Sequence, residues 1–370
     1  MAFKRLDIRS IHVFPLAQRA SMSQVEDILI DPDLEPAAAP ESVLSRVRDC
    51  AAHIVAARKN QATVMLIYGA HLVKNGASSL VNRLIDQGWI THLATNGAGV
   101  IHDWEFAHQA SSTESVEKNV ATGTFGTWEE TGRNIHLALM VGALSGKGFG
   151  ESIGELIETD GISVPSAGEL SLLISADPTH PLTPARAELF HAIRTHQIRE
   201  GRIPISHRWK YSSIFRSAYK KGIPITVHPG IGYDIFTNHP FFNGAVIGRA
   251  GGWDFEVFGT SVDQLDNGVV MSVGSAIMGP QVFEKSLSCV NNLRLQARQP
   301  IVQGHNIYVV DLQDGGNWDW TKGEPPKDNP AYYLRFCKSF SRMGGGMQYI
   351  QSDNVLFLHH LLRRLNPPKS

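Results

Sequence analysis

Cysteine is scarce in this chain. Three in 370 residues (Cys50, Cys289 and Cys337) are odd in number and far apart, so no disulfide framework is expected, and no CxxC pair offers a zinc site. An excess of either charge is also missing. Lys and Arg number 34 against 35 Asp and Glu, a formal net charge of −1, which leaves no electrostatic footprint for nucleic acid or an acidic membrane. No apolar run approaches the roughly eighteen residues of a membrane span, and MAFKRLDIRS lacks the apolar core of a signal peptide. The 16 histidines include no HExxH and no compact cluster with carboxylates, and the adjacent His359 and His360 would point about 100° apart on a helix. No metal site is expected, and no repeat appears at solenoid spacing. A cytoplasmic protein with ample apolar content (42%) for a large core is the expectation that remains.

The stretch Thr63 to Asp103 carries the strongest positive signal. An apolar run, Thr63 to Tyr68, ends in Gly69 and is followed by a helical pattern. A second run, Ile90 to Ala94, ends in Thr95-Asn96-Gly97-Ala98-Gly99. Short continuous apolar runs bounded by glycine are what parallel strands buried on both faces look like. Glycine just past a strand lets backbone N–H groups approach a phosphate at a helix N-terminus. Two such turns in succession point to a dinucleotide crevice. The first turn holds no G-x-G-x-x-G, and glycines that merely make tight βα turns are the plainer alternative. His71, Lys74, Asn75 and His228 lie beside the proposed phosphate turns, and Lys74 has the charge to meet a pyrophosphate.

Elsewhere the pattern alternates. Residues 1–42 read as an arm and linker, with the proline-rich DPDLEPAAAPES (Asp31 to Ser42) extended, packed on a neighbouring subunit or solvated. Residues 43–370 read as one large catalytic domain that opens with an amphipathic helix, Val43 to Arg58. Helical patterns follow at Thr127 to Leu144, Thr183 to Arg199, Trp209 to Lys221, Asp254 to Leu265 and Pro280 to Leu293. Strands are expected at Ile223 to Val227, Val269 to Val273 and Ile307 to Leu312. The fold class this predicts is α/β, a Rossmann-like parallel sheet with helices on both faces.

These segments resemble the deoxyhypusine synthase family in order and rough spacing from about Val64 to the C-terminus. AHLVKNG (Ala70 to Gly76) is similar to that family's first turn, and NGAGVIHD (Asn96 to Asp103) to its second. IPITVHPGIGYDIF (Ile223 to Phe236), VVMSVGSAIMGPQVF (Val269 to Phe283), YVVDLQDGG (Tyr308 to Gly316), FCKSF (Phe336 to Phe340) and SDNVLFLHHLL (Ser352 to Leu362) follow in the family's sequence of motifs. GAHLVKNG and TNGAGVIHD also resemble the NAD-binding domain of archaeal and cyanobacterial ornithine cyclodeaminases. The resemblance implies an NAD-dependent enzyme. Its cofactor contacts would be Gly69, Ala70, His71, Gly76, Thr95, Asn96, Gly97, Ala98, Gly99, Gly230, Gly274, Asp311 and Asp353. The family's two glutamates before Asp103 are replaced by Ile101 and His102, and its histidine after the glycine triplet has no counterpart in Ala276 to Gln281. The NAD framework therefore looks kept and the amine site rebuilt.

Three groups of residues have the chemistry such a site needs. Lys338 falls at the family's active-site lysine. A lysine can capture an imine if its surroundings leave it neutral, and AYYLRFC (Ala331 to Cys337) is an apolar setting. Asp314, Trp318, Asp319 and Trp320 pair carboxylates with indoles, a receptor for an ammonium group, with Asp234 as a further acidic position. His102 beside Asp103 could accept a proton near neutral pH, although Asp103 also reads as a helix cap. The expected function is an NAD-dependent transferase that oxidises a small-molecule amine to an imine and passes on the alkylamine chain, with a protein lysine as one acceptor. An ornithine-cyclodeaminase-like lyase and a non-catalytic NAD sensor are the alternatives. The resemblance also implies a homo-oligomer, dimer or tetramer.

Overall fold

Val64–Tyr68 (β1) is buried at every residue and alternates its partners. Val64, Leu66 and Tyr68 enter one apolar layer, while Met65 and Ile67 enter the other. That is the signature of a strand covered on both faces. A computed structural model describes residues 3–367 and places β1 near the centre of a six-stranded sheet. The other strands are His92–Thr95 (β2), Ile225–Val227 (β3), Val269–Val273 (β4), Asn306–Asp311 (β5) and Gly346–Gln351 (β6). Every neighbouring pair is parallel, and the spatial order is β6-β5-β4-β1-β2-β3. This is the doubly wound 3-2-1-4-5-6 order, whose strand sequence reverses between β1 and β4.

The helices that matter below are, in chain order, Glu41–Lys59 (α1), Ala70–Lys74 (α2), Ser78–Asp86 (α3), Gly97–Gln109 (α4), Glu129–Gly142 (α5) and Phe149–Thr159 (α6). They continue with Ile214–Lys221 (α7), Gly244–Asp263 (α8), Met278–Gln296 (α9), Arg335–Ser341 (α10) and Asn354–Leu365 (α11). On one side of the sheet α1, α3 and α11 pack through Val47, Ile54, Leu84, Phe357 and Leu361. On the other, α8, α9 and α10 contribute Phe258, Phe283 and Phe340. Each such side chain is worth about 1.5–3 kcal/mol on burial. Among the described residues, no helix is long and apolar enough to cross a membrane.

α8 starts ten residues before the expected Asp254. Its first half, GAVIGRAGGW, is glycine-rich, and each interior helical glycine costs about 1 kcal/mol, which masks the helix in the sequence. Packing supplies a reason for one of them. A Cβ on Gly251 would come within 2.9 Å of Pro229 Cδ, just past the end of β3.

The arm folds back on its own chain. Phe14 exchanges backbone hydrogen bonds with Thr127 and Glu129, Ser23–Gln24 pairs antiparallel with Ser111–Ser112, and Leu16 and Val25 are buried. The stretch up to Pro40 has no helix or strand after Ile28, yet Asp33 pairs with Arg83 and His360 bonds the Ala37 carbonyl.

Candidate functional site

Parallel strands bring several helix N-termini to the carboxyl edge of the sheet, each with unsatisfied N–H groups. The edge helices differ in how these are met. At α4, the Asn96 side chain accepts from Gly99 N–H at 3.0 Å, and the Asp234 carboxylate faces the N–H groups of Gly97 and Ala98. At α11, Asp353 accepts from Val355 at 2.8 Å and Leu356 at 3.2 Å. By contrast, the N-cap residues of α2 (Gly69) and α9 (Ile277) provide no side-chain cap, although Ser275 Oγ accepts from Gly279 N–H at 3.1 Å. α2 and α9 follow β1 and β4, the two strands at the reversal.

The two turns there touch. A Cβ on Gly69 would collide with the Gly274 carbonyl oxygen, so glycine is required for the β1 and β4 turns to lie against each other. Gly274 has φ +61°, the left-handed region, and a Cβ on it would meet nothing within 4 Å. Its turn therefore opens onto free space above the sheet.

The remaining glycines of the second turn have intramolecular reasons. A Cβ on Gly97 would run into Asp234 and Phe236, and one on Gly99 into Thr95 Oγ1. Thr95 itself is buried and donates to the Tyr68 carbonyl at 2.9 Å. Gly76 has φ +79° and lies against the Ile28 carbonyl of the arm. Gly230 donates its N–H to Asp234 at 2.7 Å, and Asp311 accepts from Gln313 N–H at 3.2 Å. Burial pushes the Asp234 carboxyl up to about 6, opposed by these N–H donors. Its carboxylate occupies the place at α4 where the sequence pattern pointed to a phosphate.

His102 lies near His71 and Lys74 of α2. Its Nδ1 is 2.8 Å from Ser112 Oγ, and burial holds the imidazole down to about 4, so it is neutral at physiological pH. Asp103, the next residue, points elsewhere. It caps α7, accepting from Ser213 Oγ at 2.5 Å and Ile214 N–H at 2.7 Å, and burial pushes it up to about 7. The pair therefore does not act as a unit.

Lys338 on α10 has Glu324 Oε1 at 2.5 Å and the Tyr332 ring centre at 3.3 Å from Nζ. Where the sequence suggested an apolar surrounding for this lysine, the structure supplies a carboxylate partner and an aromatic face. The preceding loop is turned on itself. Asp314 accepts from Gly316 N–H at 2.8 Å, Asp319 from Thr321 at 3.1 Å, and Trp318 donates to the Gly323 carbonyl at 2.9 Å. Trp320 is buried in the core, its turn packed against β6. Asp314, Trp318 and Asp319 thus direct these hydrogen bonds to the backbone of their own loop.

The structure thus gathers Gly69, Ala70, His71, Lys74 and His102 around the β1 turn, with Gly274 across the reversal. It leaves Lys338, held by Glu324 and the Tyr332 ring, with its loop beside β6. Three residues absent from the sequence expectations stand behind His102: Arg19, Glu105 and Ser112. A glutamate in the middle of the apolar GVIHDWEFAH, three residues from His102 and so on the same helix face, was the available signal.

No protein-family model matches the chain, and no curated protein matches it in sequence. Solved structures do overlap it loosely. Apo ArgZ, an arginine dihydrolase from the ornithine-ammonia cycle in cyanobacteria, shares 12% identity over 90% of this chain and 34% of its own, with a TM-score of 0.41. The ternary complex of AgrE with ornithine and NAD+ shares 14% over 89% and 34%, with a TM-score of 0.44. A candidate deoxyhypusine synthase from Entamoeba histolytica shares 10% over 82% and 74%, with a TM-score of 0.35. The chain spans about a third of the length of the ArgZ and AgrE chains.

Proposed function

We propose that this chain binds NAD across the reversal between β1 and β4 and uses it to oxidise an amine to an imine, in the manner of deoxyhypusine synthase. The observation that carries the reading is the pair of helix N-termini, α2 and α9, without N-cap side chains at the one place where a 3-2-1-4-5-6 sheet opens a crevice. Gly274 fits the group, since it carries no Cβ and the space beside it is open, while Gly69 lets the two turns close against each other. Lys74 adds a positive charge beside it. Asn96, just past the end of β2, stands where such folds contact the ribose, with Asp234 from the loop after β3 beside it.

When bound, NAD supplies a reversible hydride acceptor. The residues must then receive the proton that leaves nitrogen as the hydride leaves carbon. His102 is suited to this because it is neutral, and its Nε2 makes no hydrogen bond among the described residues. Passing the alkylamine chain through Lys338 further requires that lysine to leave Glu324 and lose a proton, for which the Glu324 carboxylate is in reach. The ion pair itself favours a second reading for the fate of the imine. A cyclodeaminase-like lyase needs no lysine nucleophile and could keep Lys338 as a paired ammonium. A dimer or tetramer belongs to the same proposal and is tested by sedimentation.

The test is reductive trapping. The protein is incubated with NAD and spermidine, putrescine or ornithine, borohydride is added, and intact mass and the modified peptide are read. An NAD-dependent adduct on Lys338, absent in Lys338→Ala, supports transfer through the lysine. Ammonia release from ornithine without an adduct supports the lyase. NAD binding with neither signal leaves a cofactor sensor, and absence of NAD binding rejects the proposal.

A further inference from the structure

The arm reaches the proposed site through a continuous buried chain of polar groups. Arg19 Nη1 and Nη2 each lie 2.8 Å from one oxygen of Glu105, a bidentate pair with side chains 1% and 0% exposed. Glu105 accepts two further hydrogen bonds, from Thr131 Oγ1 at 2.8 Å and from Ser112 Oγ at 2.5 Å. Ser112 Oγ is in turn 2.8 Å from His102 Nδ1. Ser112 is held in place by the antiparallel pairing of Ser23 with Ser112, so the arm both supplies Arg19 and positions Ser112.

Proton positions follow from donor and acceptor counting. Glu105 is ionised, held low by the Arg19 guanidinium and Ser112 against the penalty of burial, and a carboxylate can only accept. The Ser112 hydroxyl must therefore donate to Glu105. Were it turned to the imidazole, two oxygens 2.5 Å apart would face each other with no hydrogen between them. Ser112 Oγ is then an acceptor toward His102, and His102 Nδ1 must carry the hydrogen. Its Nε2 is left with a free lone pair, and a neutral imidazole in water prefers the opposite tautomer.

We propose that Arg19 is a positioning residue, acting through Glu105 and Ser112 to hold His102 as the Nδ1–H tautomer with Nε2 as the proton acceptor. The assignment of Nε2 to catalysis rests on the amine-oxidation reading above. The tautomer does not. Arg19 also sets the charge His102 experiences. The charged or titratable groups facing the imidazole are Glu105 on its own helix, Lys74 and His71 from α2, and Arg19 from the arm. With Arg19 present, the carboxylate is neutralised and the ring stays uncharged. Without it, an uncompensated carboxylate one hydroxyl away would favour imidazolium.

The experiment is a long-range 1H–15N spectrum of the full chain labelled with [15N]histidine, with the His102 signals assigned by their loss in His102→Gln. The expected result at pH 7 is a protonated-type Nδ1 and a bare-type Nε2. Ser112→Ala should reverse that assignment toward Nε2–H, and Arg19→Gln should raise the His102 titration midpoint by at least one pH unit, with Arg19→Lys in between. A native His102 in the Nε2–H form, or a folded Arg19→Gln with an unmoved midpoint, overturns the proposal. If Arg19→Gln does not fold, Ser112→Ala, which keeps the ion pair, decides by whether the tautomer changes. NAD binding measured on the same samples separates the two readings: a correct tautomer without NAD binding would sink the proposed function and leave this relay standing.

Discussion

Arg19→Met is the perturbation with the largest consequence for a single buried contact. It removes both guanidinium hydrogen bonds to Glu105 while keeping an unbranched apolar stem of similar length, so packing changes little. Glu105 is fully buried and would keep only Ser112 and Thr131 as donors. Breaking a buried pair on one side leaves an uncompensated charge and costs about 3–5 kcal/mol, against a total stability of about 5–15 kcal/mol for a domain. Urea unfolding at pH 7 should show that loss as a lower midpoint with little change in slope. Arg19→Met combined with Glu105→Gln removes both charges and should recover much of it, because the two residues are coupled. A loss below about 1 kcal/mol, the value of an exposed ion pair, would refute the reasoning. So would a double variant whose cost is the plain addition of the single ones.

Acid should destabilise the fold progressively between pH 6.5 and 4. Burial holds His92 at about 3 and His102, His136, His207 and His228 at about 4, so each contributes stability that is present above the ordinary imidazole value near 6.5 and lost as pH falls through it. Asp103 and Asp254, raised to about 7, and Asp234, raised to about 6, act in the opposite sense, adding stability as pH falls. Five imidazoles against three carboxyls leave the unfolded chain with about two extra protons, so stability should fall by roughly 2–3 kcal/mol per pH unit between pH 6.5 and 4. Thermal melts across that range check the slope, and a rising melting temperature on acidification would contradict it. Gly69→Ala should separate the β1 and β4 turns and weaken NAD binding at least tenfold in calorimetry, whereas unchanged affinity would remove the reversal from the site. Asn96→Ala should cost about 1 kcal/mol in the same unfolding assay by uncapping α4, and no loss would mean Asp234 alone satisfies that terminus.

Much of this architecture follows from sequence-local physics. The runs Val64–Tyr68 and Val269–Val273 are apolar at nearly every residue, which dictates strands covered on both faces and hence a parallel sheet with helices in between. Gly69 and Gly274 could be placed at strand ends for the same reason, because a strand-to-helix turn imposes dihedral and steric limits on the residues that make it. What those limits do not contain is the partner. Gly97 reads as a phosphate turn until Asp234, brought beside it by the parallel pairing of β2 with β3, is seen to occupy that N-terminus. Asp103 reads as part of a catalytic pair until α7 is placed against it. Lys338 reads as set in apolar surroundings alone until the loop returns Glu324 to its side chain. Arg19 and Glu105, 86 residues apart, could be matched only by the fold. Apolar periodicity and glycine act within a few residues and so survive in the sequence. A buried charge chooses its counter-charge by distance in space, and that distance is fixed only once the sheet has closed.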